Sequence, residues 1–124
     1  MKILIVDDSS TMRRIVSNCL DKIGYREVVQ AADGVEALEV LDKQKDVGLI
    51  LADWHMPIMD GFTLLREIKS REGIQNIPFI MITTQTERQS VIDALQTGAA
   101  NYIVKPFTPD VISEKIAEVF ERNH

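Results

Sequence analysis

At four points the chain places a group capable of chemistry directly after a short apolar run. Asp7-Asp8 follow Ile3 to Val6, Asp53 follows Leu49-Ile50-Leu51-Ala52, Thr83-Thr84 follow Phe79 to Ile82, and Lys105-Pro106 follow Ile103-Val104. Each has a plain structural reading. Strands end in polar loops, Thr is a β-former, and a lysine near an acid makes a salt bridge. Loop solvation explains any one of the aspartates, but not three at the ends of adjacent strands.

On one rim these groups would form a definite set. Neighbouring carboxylates raise one another's pKa unless a cation is present, and a hard divalent ion relieves that repulsion. Magnesium suits carboxylate, water and phosphate oxygens; zinc does not, because no His/Cys cluster exists. A carboxylate nucleophile, a metal pocket, a hydroxyl and a lysine together fit phosphoryl transfer to an aspartate. Lys105 would neutralise charge on the transferring group and Thr83 would hydrogen-bond one of its oxygens. No general base is needed, since an ionised carboxylate is already nucleophilic.

Such a rim requires a parallel sheet. Short β-branched runs alternate five times with stretches of helical period, the pattern of an α/β domain. The strands are expected at Lys2 to Val6, Glu27 to Gln30, Leu49 to Ala52, Phe79 to Ile82 and Asn101 to Val104. Several are apolar on both faces, as in sheets covered by helices on both sides; the second is more polar and suits an edge.

In the first helix Met12, Ile15, Val16, Cys19, Leu20 and Ile23 form one apolar stripe, with Gly24 placed to end it. Cys19 therefore reads as core. Asp33 with Glu36 opens the second helix and Asp60-Gly61 the third. The fourth begins after Thr86 and stops at Gly98. The fifth has Thr108 as cap, Pro109 in its first position and a stripe of Ile112, Ile116, Val119 and Phe120. Right-handed crossovers then give a doubly wound sandwich, whose working site lies beyond the carboxyl ends of the strands.

Composition agrees. With 124 residues, 45% hydrophobic and 27% charged, one soluble domain spanning 1–124 and no output domain is expected. No run approaches the roughly 20 apolar residues of a membrane span, and no signal peptide is evident. The single Cys19 excludes an internal disulfide and points to the cytoplasm. A net charge of −5, with no basic block, argues against nucleic-acid binding.

The stretches "ILIVDDSSTMRRIV", "DWHMPIMDG", "MITT" and "GAANYIVKPFTP" together resemble the receiver domains of bacterial two-component response regulators, and among them the stand-alone chemotaxis regulators. The resemblance covers essentially the whole chain. It implies a flavodoxin-like (βα)5 fold of strand order 2-1-3-4-5. It implies that Asp53 is the phosphoacceptor, supplied by the phosphohistidine of a CheA-like histidine kinase. Asp8 and Asp53, with the backbone carbonyl of His55, would bind Mg²⁺ directly, and Asp7 mainly through a metal-bound water.

Thr83 and Lys105 would contact phosphoryl oxygens, Lys105-Pro106 would be cis, and Tyr102 would be the switch aromatic. A monomer would present Arg88, Val91, Leu95, Tyr102, Val104 and Lys115 to a target such as a FliM-like flagellar switch protein. His55 and Gln85 stand where the family tunes phosphate lifetime. His55 occupies a position where such regulators often carry Asn, leaving that lifetime and any phosphatase partner open. Thr84 stands where the family commonly has Ala or Gly.

Three rival readings differ in what they require. A haloacid-dehalogenase-type phosphatase wants a second Asp where His55 stands, and a cap or larger core domain. A flavodoxin-like nucleotide carrier wants a phosphate-cradling loop after the first strand, where this chain has "DDSST". A receiver serving as a phosphorelay intermediate differs from a motor switch only in its partner.

Overall fold

Alternate residues of each strand go to opposite faces of the sheet, and here both faces are buried. The computed structural model describes residues 1–84 and 88–121. Within them five strands, β1 (Lys2–Val6), β2 (Val28–Ala31), β3 (Val47–Asp53), β4 (Phe79–Thr84) and β5 (Asn101–Lys105), alternate with five helices. These are α1 (Ser10–Lys22), α2 (Gly34–Lys43), α3 (Gly61–Lys69), α4 (Arg88–Thr97) and α5 (Pro109–Glu121). All pairings are parallel, in the order β2-β1-β3-β4-β5. Strand order reverses between β1 and β3, which puts Asp7-Asp8 and Asp53 at the switch point where such sheets hold ligands.

The period of two sorts the core into two layers. Ile3, Ile5, Leu49, Leu51, Ile80, Ile82 and Ile103 pack under α1 and α5 with Val16, Leu20, Ile112 and Ile116. Leu4, Val6, Ile50, Ala52, Phe79 and Met81 pack under α2, α3 and α4 with Leu41, Leu64, Leu65 and Ile68. The same alternation aims Asn101 and Ile103 at α5 and turns Tyr102 and Val104 toward α4.

Local chemistry sets the helix boundaries. The side chains of Ser9, Asp33 and Asp60 accept hydrogen bonds from the backbone N–H groups of Met12, Glu36 and Thr63. Gly24, at φ +100°, closes α1: the N–H of Tyr25 returns to the carbonyl of Leu20 at 2.9 Å. The Oγ of Thr108 caps α5 ahead of Pro109. Helix α4 is tied down least, with Ala94 its one fully buried residue among those described, while Ile92 and Leu95 are about two-fifths exposed.

Three strands run further than their apolar residues. β3 starts at Val47 and includes Asp53, β4 reaches Thr84 and β5 reaches Lys105. The ladder is a backbone property, and it continues through Asp53 opposite Ile82 and Thr84 opposite Lys105. β2 is displaced by one residue, because Ala31 pairs with Val6. In α1, Ile15 leaves the expected stripe: it is 43% exposed and lines a surface hollow with Met12, Lys105, Pro106 and Phe107. The fourth helix's expected start after Thr86, like Gln85, lies outside the described residues. Among the described residues, no helix is long and apolar enough to cross a membrane.

Candidate functional site

The loop from β1 to α1 is built to hold carboxylates. Asp7 is buried and Asp8 exposed. The Oδ1 of Asp7 accepts from the N–H of Ser9 at 2.9 Å. Arg13, one turn into α1, donates from Nη1 to the Asp7 carbonyl at 2.6 Å and from Nε to Gln30 Oε1 at 3.0 Å, tying the loop to the end of β2. The remaining oxygen, Asp7 Oδ2, is buried with no hydrogen-bond partner among the described residues.

β3 delivers Asp53 to the same rim at 6% exposure. One carboxylate oxygen from each of Asp7, Asp8 and Asp53 falls within 4.8 Å of the others. Lys105 reaches in from β5, with Nζ 2.7 Å from Asp53 Oδ1. Burial pushes the Asp7 carboxyl above its ordinary value, and the neighbouring charges of Asp53 and Asp8 push the same way. The Ser9 N–H and the Lys105 ammonium oppose that rise. An orphaned buried oxygen among three carboxylates fits a hard cation with oxygen ligands, so this cluster is able to hold a metal.

The loop after Asp53 is pinned against the strand that carries it. Trp54 donates to the Ile82 carbonyl at 3.0 Å, and Gly61 returns to the Trp54 carbonyl at 2.8 Å. A Cβ on Gly61 would collide with the Asp53 carbonyl, so glycine is the residue that permits this approach. Trp54 stacks on Phe62 with ring centroids 5.3 Å apart. Between these anchors His55 is exposed, and Ile58 is 82% exposed with φ at +69°. The Lys105–Pro106 peptide is cis, as the resemblance implied.

Thr83 is buried in β4, one residue past the partner of Asp53. On the α4 side of the sheet, Arg88, Val91, Leu95, Tyr102 and Val104 line one groove of about 370 Å³. Lys115 does not line it; its Nζ sits 4.7 Å from the centroid of the Tyr102 ring. Five of the six residues expected on this face therefore share one groove, together with Thr84 and Ile92. Ile92 was legible, since positions 88, 91, 92 and 95 follow the helical i, i+3, i+4, i+7 spacing. Arg13 and the buried Asn101 carried no comparable signal, because their roles depend on partners far away in sequence.

The response regulator receiver domain family matches residues 3–117. The chain is 50% identical over 123 residues to the chemotaxis protein CheY1 of Helicobacter pylori, covering 99% of each chain. It is 47% identical to the chemotaxis protein CheY homolog of Campylobacter jejuni, over 96% of this chain and 92% of that one. Among solved structures, the Vibrio cholerae chemotaxis response regulator CheY4 superposes with a TM-score of 0.86 at 36% identity, over 95% of this chain and 97% of that one. The chain belongs to the response regulator receiver domain family, as a CheY-like member.

Proposed function

We propose that this chain is the phosphorylation-activated switch of a chemotaxis two-component system, a signalling protein rather than a classical enzyme, with Asp53 as phosphoacceptor. The observation that carries the reading is the convergence of Asp7, Asp8 and Asp53 within 4.8 Å, with Lys105 on Asp53. The similarity to chemotaxis proteins of Helicobacter pylori and Campylobacter jejuni supports chemotaxis as the setting.

In this reading an Asp53 oxygen attacks the phosphorus of a phosphohistidine on a CheA-like kinase. The N–P bond breaks, its electron pair stays on the imidazole nitrogen, and an acyl phosphate forms on Asp53. Asp8 and Asp53, with the His55 carbonyl, would hold Mg²⁺ directly, and Asp7 mainly through a water. When bound, the ion supplies positive charge that offsets the phosphoryl oxygens. Lys105 exchanges its carboxylate partner for a phosphoryl oxygen, and the Thr83 hydroxyl donates to another. Tyr102 and the groove beneath α4 then shift toward a packing that binds a FliM-like target. The weak anchoring of α4 makes this the face best able to repack.

Trp54, the chain's one tryptophan, reports directly on its neighbour Asp53. Its fluorescence should respond to Mg²⁺ and then to acetyl phosphate. No response, or one unchanged in Asp53→Asn, would remove the phosphoacceptor reading. Binding to a FliM N-terminal peptide, with and without a phosphoryl mimic, tests the target; equal negligible binding in both states would remove the motor assignment.

A further inference from the structure

Asn101 is 3% exposed at a β5 position aimed into the α5 layer, where Ile103 two residues on is purely apolar. A buried amide at such a position costs stability unless its hydrogen-bonding groups are paired. They are. Nδ2 donates to the Lys115 carbonyl at 3.0 Å and to Glu118 Oε2 at 3.1 Å, and Oδ1 accepts from the N–H of Tyr102 at 2.9 Å. The other oxygen of Glu118 stands 3.8 Å from Lys115 Nζ, and that ammonium lies over the Tyr102 ring. The contacts close on themselves, from Asn101 through Glu118 and Lys115 to Tyr102 and back.

We propose that Asn101, Glu118 and Lys115 form a latch on Tyr102, holding its ring in the position it takes while Asp53 is unmodified and paired with Lys105. Asn101 fixes Glu118, Glu118 places the Lys115 ammonium, and the ammonium attracts the face of the ring. Rotation of Tyr102 about its first side-chain torsion carries the ring out from under Lys115. The latch therefore opposes the change that phosphorylation drives, and these three residues are positioning residues for the switch. This inference rests on the reading of Tyr102 as the switch aromatic. By linkage, releasing the latch should tighten binding of a phosphoryl mimic by the factor the contact supplies, about 2- to 5-fold for a cation over an accessible ring.

Two measurements on the full chain decide it. The chain has two tyrosines, Tyr25 and Tyr102, so a 3-fluorotyrosine-labelled Tyr25→Phe parent reports Tyr102 as a single ¹⁹F resonance. Without metal or donor, Lys115→Met should move that resonance, Glu118→Gln should move it part of the way, and Lys115→Arg should restore it. An unmoved resonance in Lys115→Met overturns the latch. In the second measurement, beryllofluoride with Mg²⁺ is titrated against Trp54 fluorescence. Lys115→Met and Glu118→Gln should bind it 2- to 5-fold more tightly than the parent. Equal or weaker affinity overturns the claim that the latch opposes the switch. A parent showing no response to beryllofluoride counts against the phosphoacceptor reading, while the fluorine comparison still decides whether Lys115 holds the ring. Should the buried variant Asn101→Leu not fold, the two α5 variants carry the test.

Discussion

Lys105 Nζ lies 2.7 Å from Asp53 Oδ1, an ammonium that passes β4 to pair with a carboxylate on β3. The same alternation that aims Ile103 at the α1 and α5 layer aims Lys105 there, on the side of Asp53. The pair is largely buried, so the lysine competes with any cation for the Asp53 oxygen.

Lys105→Met should therefore have opposite effects on two steps. Mg²⁺ should bind more tightly, on the order of 10-fold, because a unit charge a few ångströms from the site has gone. Phosphoryl transfer from acetyl phosphate at saturating Mg²⁺ should slow about 100-fold, because a donor aimed at the developing charge has gone too. Trp54 titration reads the first effect and its time course the second. A parallel fall in both would mean that Lys105 shapes the pocket rather than competing within it.

The raised pKa of Asp7 predicts an unusual pH dependence. A carboxyl that holds its proton more tightly folded than unfolded contributes stability that is fully present below its ordinary value of 3.8, and this is lost as pH rises through the folded value. At neutral pH the ionised group costs stability. Asp7→Asn, which keeps an oxygen for the Ser9 N–H, should exceed the parent in metal-free urea melts at pH 7. The gap should close toward pH 4, and Mg²⁺ should narrow or reverse the order at pH 7 by stabilising the parent more than the variant. A gap that widens as pH falls would contradict the assigned sign.

Much of this was legible in the sequence because period and caps are local. Asp33, Asp60 and Thr108 announce three helix starts, and the apolar doublets of β1, β3 and β4 announce a sheet buried on both faces. Apolarity marks the strand ends short, stopping at Ala52 and Val104 while backbone pairing continues to Asp53 and Lys105. Spacing alone places Ile15 with the core, yet it is exposed. The helix stripe is broad enough to reach the surface hollow beside Phe107, and only the packed neighbours decide which edge is covered. Asp53 could be joined to the adjacent pair Asp7-Asp8 only through the fold, as it has no local relation to them in the sequence.

Gly61 should be irreplaceable at modest size. Ala in the first turn of α3 gains helix propensity, up to about 1 kcal/mol. Its Cβ, however, would meet the Asp53 carbonyl, with Met81 Sδ at 2.9 Å. The backbone of Asp53 would have to move, at a cost of about 1 to 3 kcal/mol typical of overpacking. Gly61→Ala should thus be net destabilised in urea and bind Mg²⁺ more weakly. Unchanged Mg²⁺ affinity would show that the strain is absorbed by Met81 and never reaches Asp53.

Ile58 offers the opposite case, a residue whose replacement should help. The N–H of Met59 donates to the Pro57 carbonyl at 2.7 Å, so Ile58 is the centre of a three-residue turn, and its φ of +69° is disfavoured for a β-branched side chain. At 82% exposure the side chain recovers little of that cost by burial. Asn tolerates the left-handed region, and Ile58→Asn should raise stability by about 1 kcal/mol, within the 1 to 2 kcal/mol that the conformation costs an ordinary residue. The midpoint in urea should rise with its slope unchanged, the mark of a change in stability. Because the turn lies between Trp54 and Gly61, which are pinned separately, Mg²⁺ affinity should stay at the parent value. A fall in that affinity would instead mean that the strained turn helps to hold the loop against the acidic cluster.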